Sequence, residues 1–401
     1  MKALKAIFII LGCLAGLAVA VLIVSAVFFS PEYMIRVLGN GESKITDYQL
    51  FPSKPITKSS VPYRYEYAPD GSLGAVGVTY AAKGKVREGT LEDVAAGNGT
   101  TSLIVIHKDK LVYERYFNGY DRDSIETSFS SVKSLDSLLI GMAIDDGFIR
   151  SETQPLSDFI SEFRDTEFGK ITIQQLLMMR SNIRYEEGLA WFSDDAKTYY
   201  IPDLRELALH DMRIDEKYGG QFHYNNYHPL LLGIILERST KMSVSDYFQN
   251  KIWEKIGAES DASWSLDSPA TRFEKMESGL NFKSVDYAKI GSMLLHGGFW
   301  NGQRVVSKAW LDRSLIAPHS LSPDDIDSEF LKGKDVGYQY MWYSTANGKG
   351  GHDFFSAGKY GQYIYVSPEN DTVIVRTGKS GGNVDWWPDV LKQIAAYEGG
   401  R

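Results

Sequence analysis

Cysteine is almost absent from this sequence. Among 401 residues the only one is Cys13, which lies in an apolar stretch, so no disulfide framework exists within the chain. Histidine is sparse as well. The seven, at positions 107, 210, 223, 228, 296, 319 and 352, show no His-x-His or His-x-x-x-His spacing, and no metal site or cofactor is expected. Long basic runs are missing and the formal net charge is −8, which argues against nucleic acid as a partner. Internal repeats and low-complexity tracts are missing too. What is present is 43% hydrophobic and 13% aromatic, enough for one large or two modest globular domains with a real core.

Charge is missing altogether from residues 6–29, AIFIILGCLAGLAVAVLIVSAVFF. About 24 residues at 1.5 Å each span roughly 36 Å, enough to cross a bilayer with some tilt. A cleaved signal has a shorter apolar core and a small-residue site, which Val24-Ser25-Ala26 imitates. The length favours an anchor. Lys2 and Lys5 ahead of the span favour an inside N-terminus. The expectation is therefore one transmembrane helix within residues 1–29, a single-pass cell-membrane location, and an extracytoplasmic chain beyond it.

Residues 30–95 carry scattered Pro and Gly and read as an irregular lead-in. From there SLIVIHKDKLVYERY predicts a strand hairpin around residues 107–110. Val132, Leu135, Leu138, Leu139, Met142 and Ala143 mark one face of a helix over 130–146. TIQQLLMM opens on Thr172 and Gln175 in capping-box spacing, and NNYHPLLLGIILER predicts a helix with Asn226 at its N-cap. Near 338 the texture changes to strand-like runs, YQYMWYST, FFSAGK, QYIYVS and TVIVRTG, closed by the helical WWPDVLKQIAAYEG. Strands at both ends with helices between them predict an α+β fold: one antiparallel sheet built from both chain ends, flanked by helices, with an inserted helical domain.

Three serines compete as nucleophile. Gly378-Lys379-Ser380-Gly381-Gly382 matches a Gly-x-Ser-x-Gly elbow, but that chemistry needs a later histidine and none follows His352. Ser356 and Lys359 fall in a strand-like run, where residues three apart point to opposite faces. Ser130 and Lys133, in SFSSVKSL, begin a helix, where the same spacing puts both on one face near the free N–H groups of its first turn. On that spacing alone, a nucleophile with its base and a capped helix with a solvated lysine both stand. Two further groups bear on the choice. Tyr224 and Asn226 sit where a helix starts, able to relay a proton and hold a substrate carbonyl. Lys359-Tyr360-Gly361 follows a strand, with positive charge, a glycine for close backbone approach, and a backbone N–H at Gln362.

Ser-x-x-Lys, Tyr-x-Asn and Lys-x-Gly, in this order, resemble the ensemble of class C β-lactamase-like serine hydrolases. That family includes penicillin-binding peptidases, class C β-lactamases, esterases and 6-aminohexanoate-dimer hydrolases. The resemblance extends over residues 96–401, and FFSAGKYGQYIYVSPENDTVIV is most similar to the 6-aminohexanoate-dimer hydrolase branch. It implies a β-lactamase-like fold and an acyl-enzyme on Ser130, with Lys133 as general base and Tyr224 as proton relay. It further implies an oxyanion hole from the N–H groups of Ser130 and Gln362, and a substrate contact from Asn226. Lys359 would orient substrate and help keep Tyr224 or Lys133 deprotonated, beside Gly361, and Asn281 would line the pocket. Tyr360 stands where the lactamases carry Thr or Ser, which puts β-lactam hydrolysis in doubt. The aromatic loop 187–202, with Tyr199 and Tyr200, is either a lid or a surface loop. The implied activity is hydrolysis of a small or short linear amide or ester. A cell-wall D-alanyl peptidase or weak β-lactamase, and a non-catalytic ligand-sensing domain of the same fold, are the alternatives.

Overall fold

Every position of the aliphatic, β-branched run Thr100–His107 is buried, as happens when a strand lies inside a sheet covered on both faces. In a computed structural model, which describes residues 5, 7–13, 16, 29–82, 84–188, 190–317, 321, 335–379 and 386–401, this strand has two partners. Lys110–Tyr116 returns beside it as the expected hairpin, and Thr372–Gly378 pairs on its other side. The full sheet runs Gly337–Gln339, Trp342–Ala346, His352–Gly358, Gln362–Ser367, Thr372–Gly378, Thr100–His107, Lys110–Tyr116, Glu66–Tyr67. All neighbours are antiparallel except Glu66–Tyr67, which pairs parallel with Lys110 and Leu111. The sheet is thus built from both ends of the chain.

Helices close both faces. A Cβ at Gly291, in the helix Ser284–Leu295, would lie 2.3 Å from Val373 Cγ1, so this helix rests its backbone on the strand. Arg376 is three residues from Val373 and faces the other way. Its guanidinium lies 4.7 Å from the Trp387 ring centre in the closing helix Trp387–Gly399. Between the strand groups, the helix Lys133–Asp145 packs its leucine face against Tyr227–Thr240. The capping box at Thr172 and Gln175 is formed.

A second sheet runs Ser53–Ile56, Ala262–Ser265, Leu280–Phe282, Glu126–Thr127. Its last strand delivers the chain directly to Ser128 and the turn that follows.

The lead-in is not irregular. It holds the helix Pro31–Asn40, whose N-cap Ser30 accepts from Tyr33 N–H at 3.2 Å, one strand of each of the two sheets, and a hairpin Gly77–Ala82/Lys85–Thr90 whose Tyr80 stacks on Trp386. The helix buries only Tyr33, Met34 and Val37, against Ala196 and Tyr200 far along the chain. Local pattern carries no trace of such distant partners.

Most of residues 6–29 lie outside the described residues. Among the described residues no helix is long and apolar enough to cross a membrane. The expected transmembrane helix therefore has no support from the fold and returns below only as a proposal.

Candidate active site

Ser130 sits in a tight 3-10 turn, Phe129–Val132, that runs straight into the helix Lys133–Asp145. Phe129, just ahead of it, has φ +44°, a left-handed conformation that costs a bulky residue free energy and persists only where surroundings hold it. The Tyr360 ring meets the Phe129 ring edge-on at 5.6 Å. Two further bonds tie the entrance of the turn: Ser128 N–H donates to Leu280 O at 2.9 Å, and Ser128 Oγ to Ser278 O at 3.2 Å.

Lys133 is 2% exposed. Its ammonium donates to Ser130 Oγ at 2.8 Å and to Glu277 O at 3.1 Å, and lies 4.9 Å from the centre of the Tyr224 ring. Helical spacing thus brings Lys133 and Ser130 together on one face, with the Tyr224 ring against the lysine.

The end of the strand His352–Gly358 presses on the same turn. A Cβ at Gly358 would lie 2.4 Å from Ser128 O and 2.9 Å from Ser131 N, so only glycine lets the sheet edge approach this closely. Ser131 Oγ bonds both Tyr287 Oη at 2.7 Å and Ser356 Oγ at 2.6 Å. Ser356, the rival serine, is a fully buried structural hydroxyl that also accepts Ile364 N–H.

Arg376 fixes the turn after Gly358. Its guanidinium donates to the carbonyls of Tyr360 and of Gly361, the latter at 2.9 Å, to Asn98 O at 3.0 Å and to Thr100 Oγ1 at 3.1 Å. Burial pulls it down to about 9. The turn itself closes through Gly361 N–H to Gly358 O at 2.9 Å, with Tyr360 and Gly361 both at positive φ.

These groups surround a pocket of about 600 Å³. Ser130, Tyr224, Asn226, Lys359 and Gly361 line it together, with Glu277 and Ser278 on one side and the loop residues Glu187, Asp195, Tyr199 and Tyr200 on another. The aromatic loop is therefore a wall of the pocket. Its helix Asp194–Tyr200 is pinned from outside: Tyr199 Oη donates to Asp47 Oδ2 at 3.0 Å and Tyr200 Oη to Gly41 O at 2.9 Å. Burial, followed by the nearby Asp47 carboxylate, pushes both phenols up.

Several expected roles change with the geometry. Asn281 is 1% exposed and outside the pocket; its amide bonds Thr127, Ser263 and Ser265 within the small sheet. Gln362 pairs with Gly358 and is fully buried, its side-chain amide bonded to Lys359 O and Gly378 O; the backbone lining the pocket ends at Gly361. Asn226 donates to Tyr185 Oη at 2.6 Å, and Tyr185 in turn donates to Asp195. That orientation leaves Asn226 Oδ1 buried without a hydrogen-bond partner and spends the amide N–H groups on Tyr185 and Asp195 rather than on a substrate carbonyl. Lys359 turns to the N-terminal segment, bonding Ser43 Oγ at 3.0 Å and Glu42 Oε1 at 3.1 Å. Lys379, from the rival Lys-Ser-Gly copy, donates to Asn118 O, and Ser380 onward to 385 lies outside the described residues.

Ser130 is thus bonded to a lysine three residues on, beside the Tyr224 ring and against a sheet edge. The profile of the Beta-lactamase family matches residues 90–385. The chain belongs to the Beta-lactamase family. In sequence it is 26% identical over 313 residues to a 6-aminohexanoate-dimer hydrolase of Paenarthrobacter ureafaciens, covering 72% of this chain and 73% of that protein. In fold it is similar to a Bacillus anthracis protein described as a candidate 6-aminohexanoate-dimer hydrolase. There the TM-score is 0.75 at 23% identity, covering 88% and 92% of the two chains. A class C β-lactamase from Rhodobacter sphaeroides aligns with TM-score 0.54 at 15% identity over 77% and 96%. The Beta-lactamase fold and a serine-hydrolase family membership follow, as the motif ensemble implied.

Sequence reading missed Glu277, Gly358, Arg376 and the 41–43 segment. Only Gly358 left a signal, since a glycine ending an aromatic strand marks close backbone approach.

Proposed function

We propose that the chain is an amide or ester hydrolase of the 6-aminohexanoate-dimer hydrolase type, working through an acyl-enzyme on Ser130. The observation that carries this is the 2.8 Å bond between Ser130 Oγ and a Lys133 ammonium 2% exposed to solvent. Lys133, once neutral, takes the hydroxyl proton as Ser130 attacks the carbonyl carbon. Tyr224, against the lysine, passes a proton to the leaving nitrogen or oxygen, and water then releases the acyl group by the reverse traffic. The Ser130 N–H at the start of the helix is one oxyanion donor. We assign the second donor to the N–H of Lys359 in place of Gln362, because Gly358 before it packs on the serine turn and Gln362 is buried outside the pocket lining.

Residues 6–29, charge-free and long enough to span a bilayer, support a single-pass anchor with the hydrolase domain outside the cytoplasm. The substrate is a small or short linear molecule.

The test is covalent. A fluorophosphonate probe should label Ser130, and Ser130→Ala should abolish both labelling and ester turnover, a loss of about a thousandfold or more. Mapping of the label to Ser356 or Ser380 would overturn the mechanism.

A further inference from the structure

The pocket has a wall from outside the family domain. Val37, Gly41, Glu42 and Ser43 line it, whereas the family profile begins at residue 90. The segment is held on two sides. Tyr200 Oη donates to Gly41 O at 2.9 Å, and Tyr360 Oη donates to Ser43 O at 2.7 Å. Between these anchors Glu42 Oε1 meets the Lys359 ammonium at 3.1 Å, and Ser43 Oγ takes another of its donors at 3.0 Å.

The charges of the pocket follow from this. Of its ammonium groups, Lys133 lies beneath Ser130, and Lys359 is the cation at the wall. Four carboxylates line the same space, Glu42, Glu187, Asp195 and Glu277. Glu277 is offset by Lys275 at 2.8 Å. With Lys359 paired to Glu42, an incoming anion meets, among the described residues of this wall, a cation already bonded to a carboxylate, and it shares the pocket with Asp195. A cleft lined by one sign of charge concentrates the opposite sign and repels its own.

We infer that Glu42 is a specificity-determining residue: it occupies the Lys359 ammonium and turns the pocket against acyl chains that end in a carboxylate. The favoured substrates are linear amides or esters whose acyl arm ends in a neutral or ammonium group. This rests on the hydrolase reading above. Lys359 alone would attract a carboxylate; paired with Glu42 it does not.

The experiment compares nitrophenyl esters of one acyl length ending in methyl, ammonium or carboxylate, with full-length protein. The quantity read is the ratio of kcat/KM for carboxylate-ended over methyl-ended ester. Glu42→Gln should raise that ratio about tenfold, the size of one charge interaction through partly solvated space. Glu42→Asp should leave it near the native value, and Lys359→Met should lower it below native, since the Glu42 carboxylate is then unopposed. An unchanged ratio in Glu42→Gln, with normal fluorophosphonate labelling of Ser130, overturns the role of Glu42 alone. Absence of labelling in the native protein overturns the hydrolase reading and the inference with it.

Discussion

Ser128, Ser131 and Lys133, around Ser130, are each at most 2% exposed, and each is bonded to a different element of the fold. Across the pocket, the Glu42 and Lys359 side chains are 57% and 31% exposed and meet as an ion pair. Exposed pairs of this kind contribute about 0–1 kcal/mol, while buried polar groups cannot lose a partner without a cost of about 1–3 kcal/mol. The two walls thus differ in what they can tolerate. The serine side holds its side chains in one arrangement through buried bonds, and the N-terminal ion pair lies where a change of charge costs less. On the proposed reading the reacting side chains sit on the buried side and the Glu42 charge on the exposed side, with Lys359 shared between them.

The sharpest way to break this division is Gly358→Ala. The added methyl would fall 2.4 Å from Ser128 O, so the strand end must retreat from the serine turn. We expect kcat to fall about a hundredfold, with a stability loss of about 1–3 kcal/mol typical of overpacking. Turnover and thermal melting on the purified variant check both. Native kcat in Gly358→Ala would mean that the sheet edge does not position the reaction.

A second prediction uses pH on the buried side. Glu126, 1% exposed and two residues ahead of Ser128, is pushed up to about 7 by burial, against the opposing pull of the Thr101 and Thr377 hydroxyls and the Arg376 charge. A carboxyl raised on folding adds stability that is complete below its unfolded value and is lost as pH rises through about 7. From the ordinary glutamate value of 4.5 the loss is about 3 kcal/mol. Denaturant unfolding between pH 4.5 and 8 should show this decline in the native protein and much less of it in Glu126→Gln. Parallel curves would sink the assignment.

The smallest effect belongs to the exposed side. Phe192, in the pocket-wall loop, is 60% exposed, and Phe192→Ser should change stability by less than about 0.5 kcal/mol. A melting shift as large as that of Gly358→Ala would erase the contrast between the two walls.

The same division decides what the sequence disclosed. The hairpin at 107–110, the leucine face after Ser130, the helix behind Asn226 and three of the four late strand runs show in short-range periodicity and lie where it puts them; YQYMWYST is instead split into Gly337–Gln339 and Trp342–Ala346, with Tyr340 and Met341 between them at positive φ. Ser130 and Lys133 were legible because three helical residues bring them together locally. Asn281 misled because a strand residue near the site can face inward, and here its amide is used up within the small sheet. Gln362 misled because the residue after a tight turn pairs back into the sheet. Glu42 and Ser43 had no local signal at all. Their partner Lys359 is 316 positions from Ser43, and no pattern in ten or twenty residues records such a contact.

The pairing at the centre of the large sheet has a consequence for the order of events during synthesis. His107 and Thr372, joined across it at 3.1 Å, are 265 positions apart. Gly358 reaches the serine turn from a strand tied to Thr100–His107 only through Gln362–Ser367 and Thr372–Gly378. At roughly 5–20 residues per second of translation, the first strand waits about ten seconds to a minute for its partner. Throughout that interval Ser130 and Lys133 exist, but the sheet edge that completes their site does not. A truncated chain that stops before the last strand carries Ser130 and Lys133 without the sheet pairing that closes their pocket.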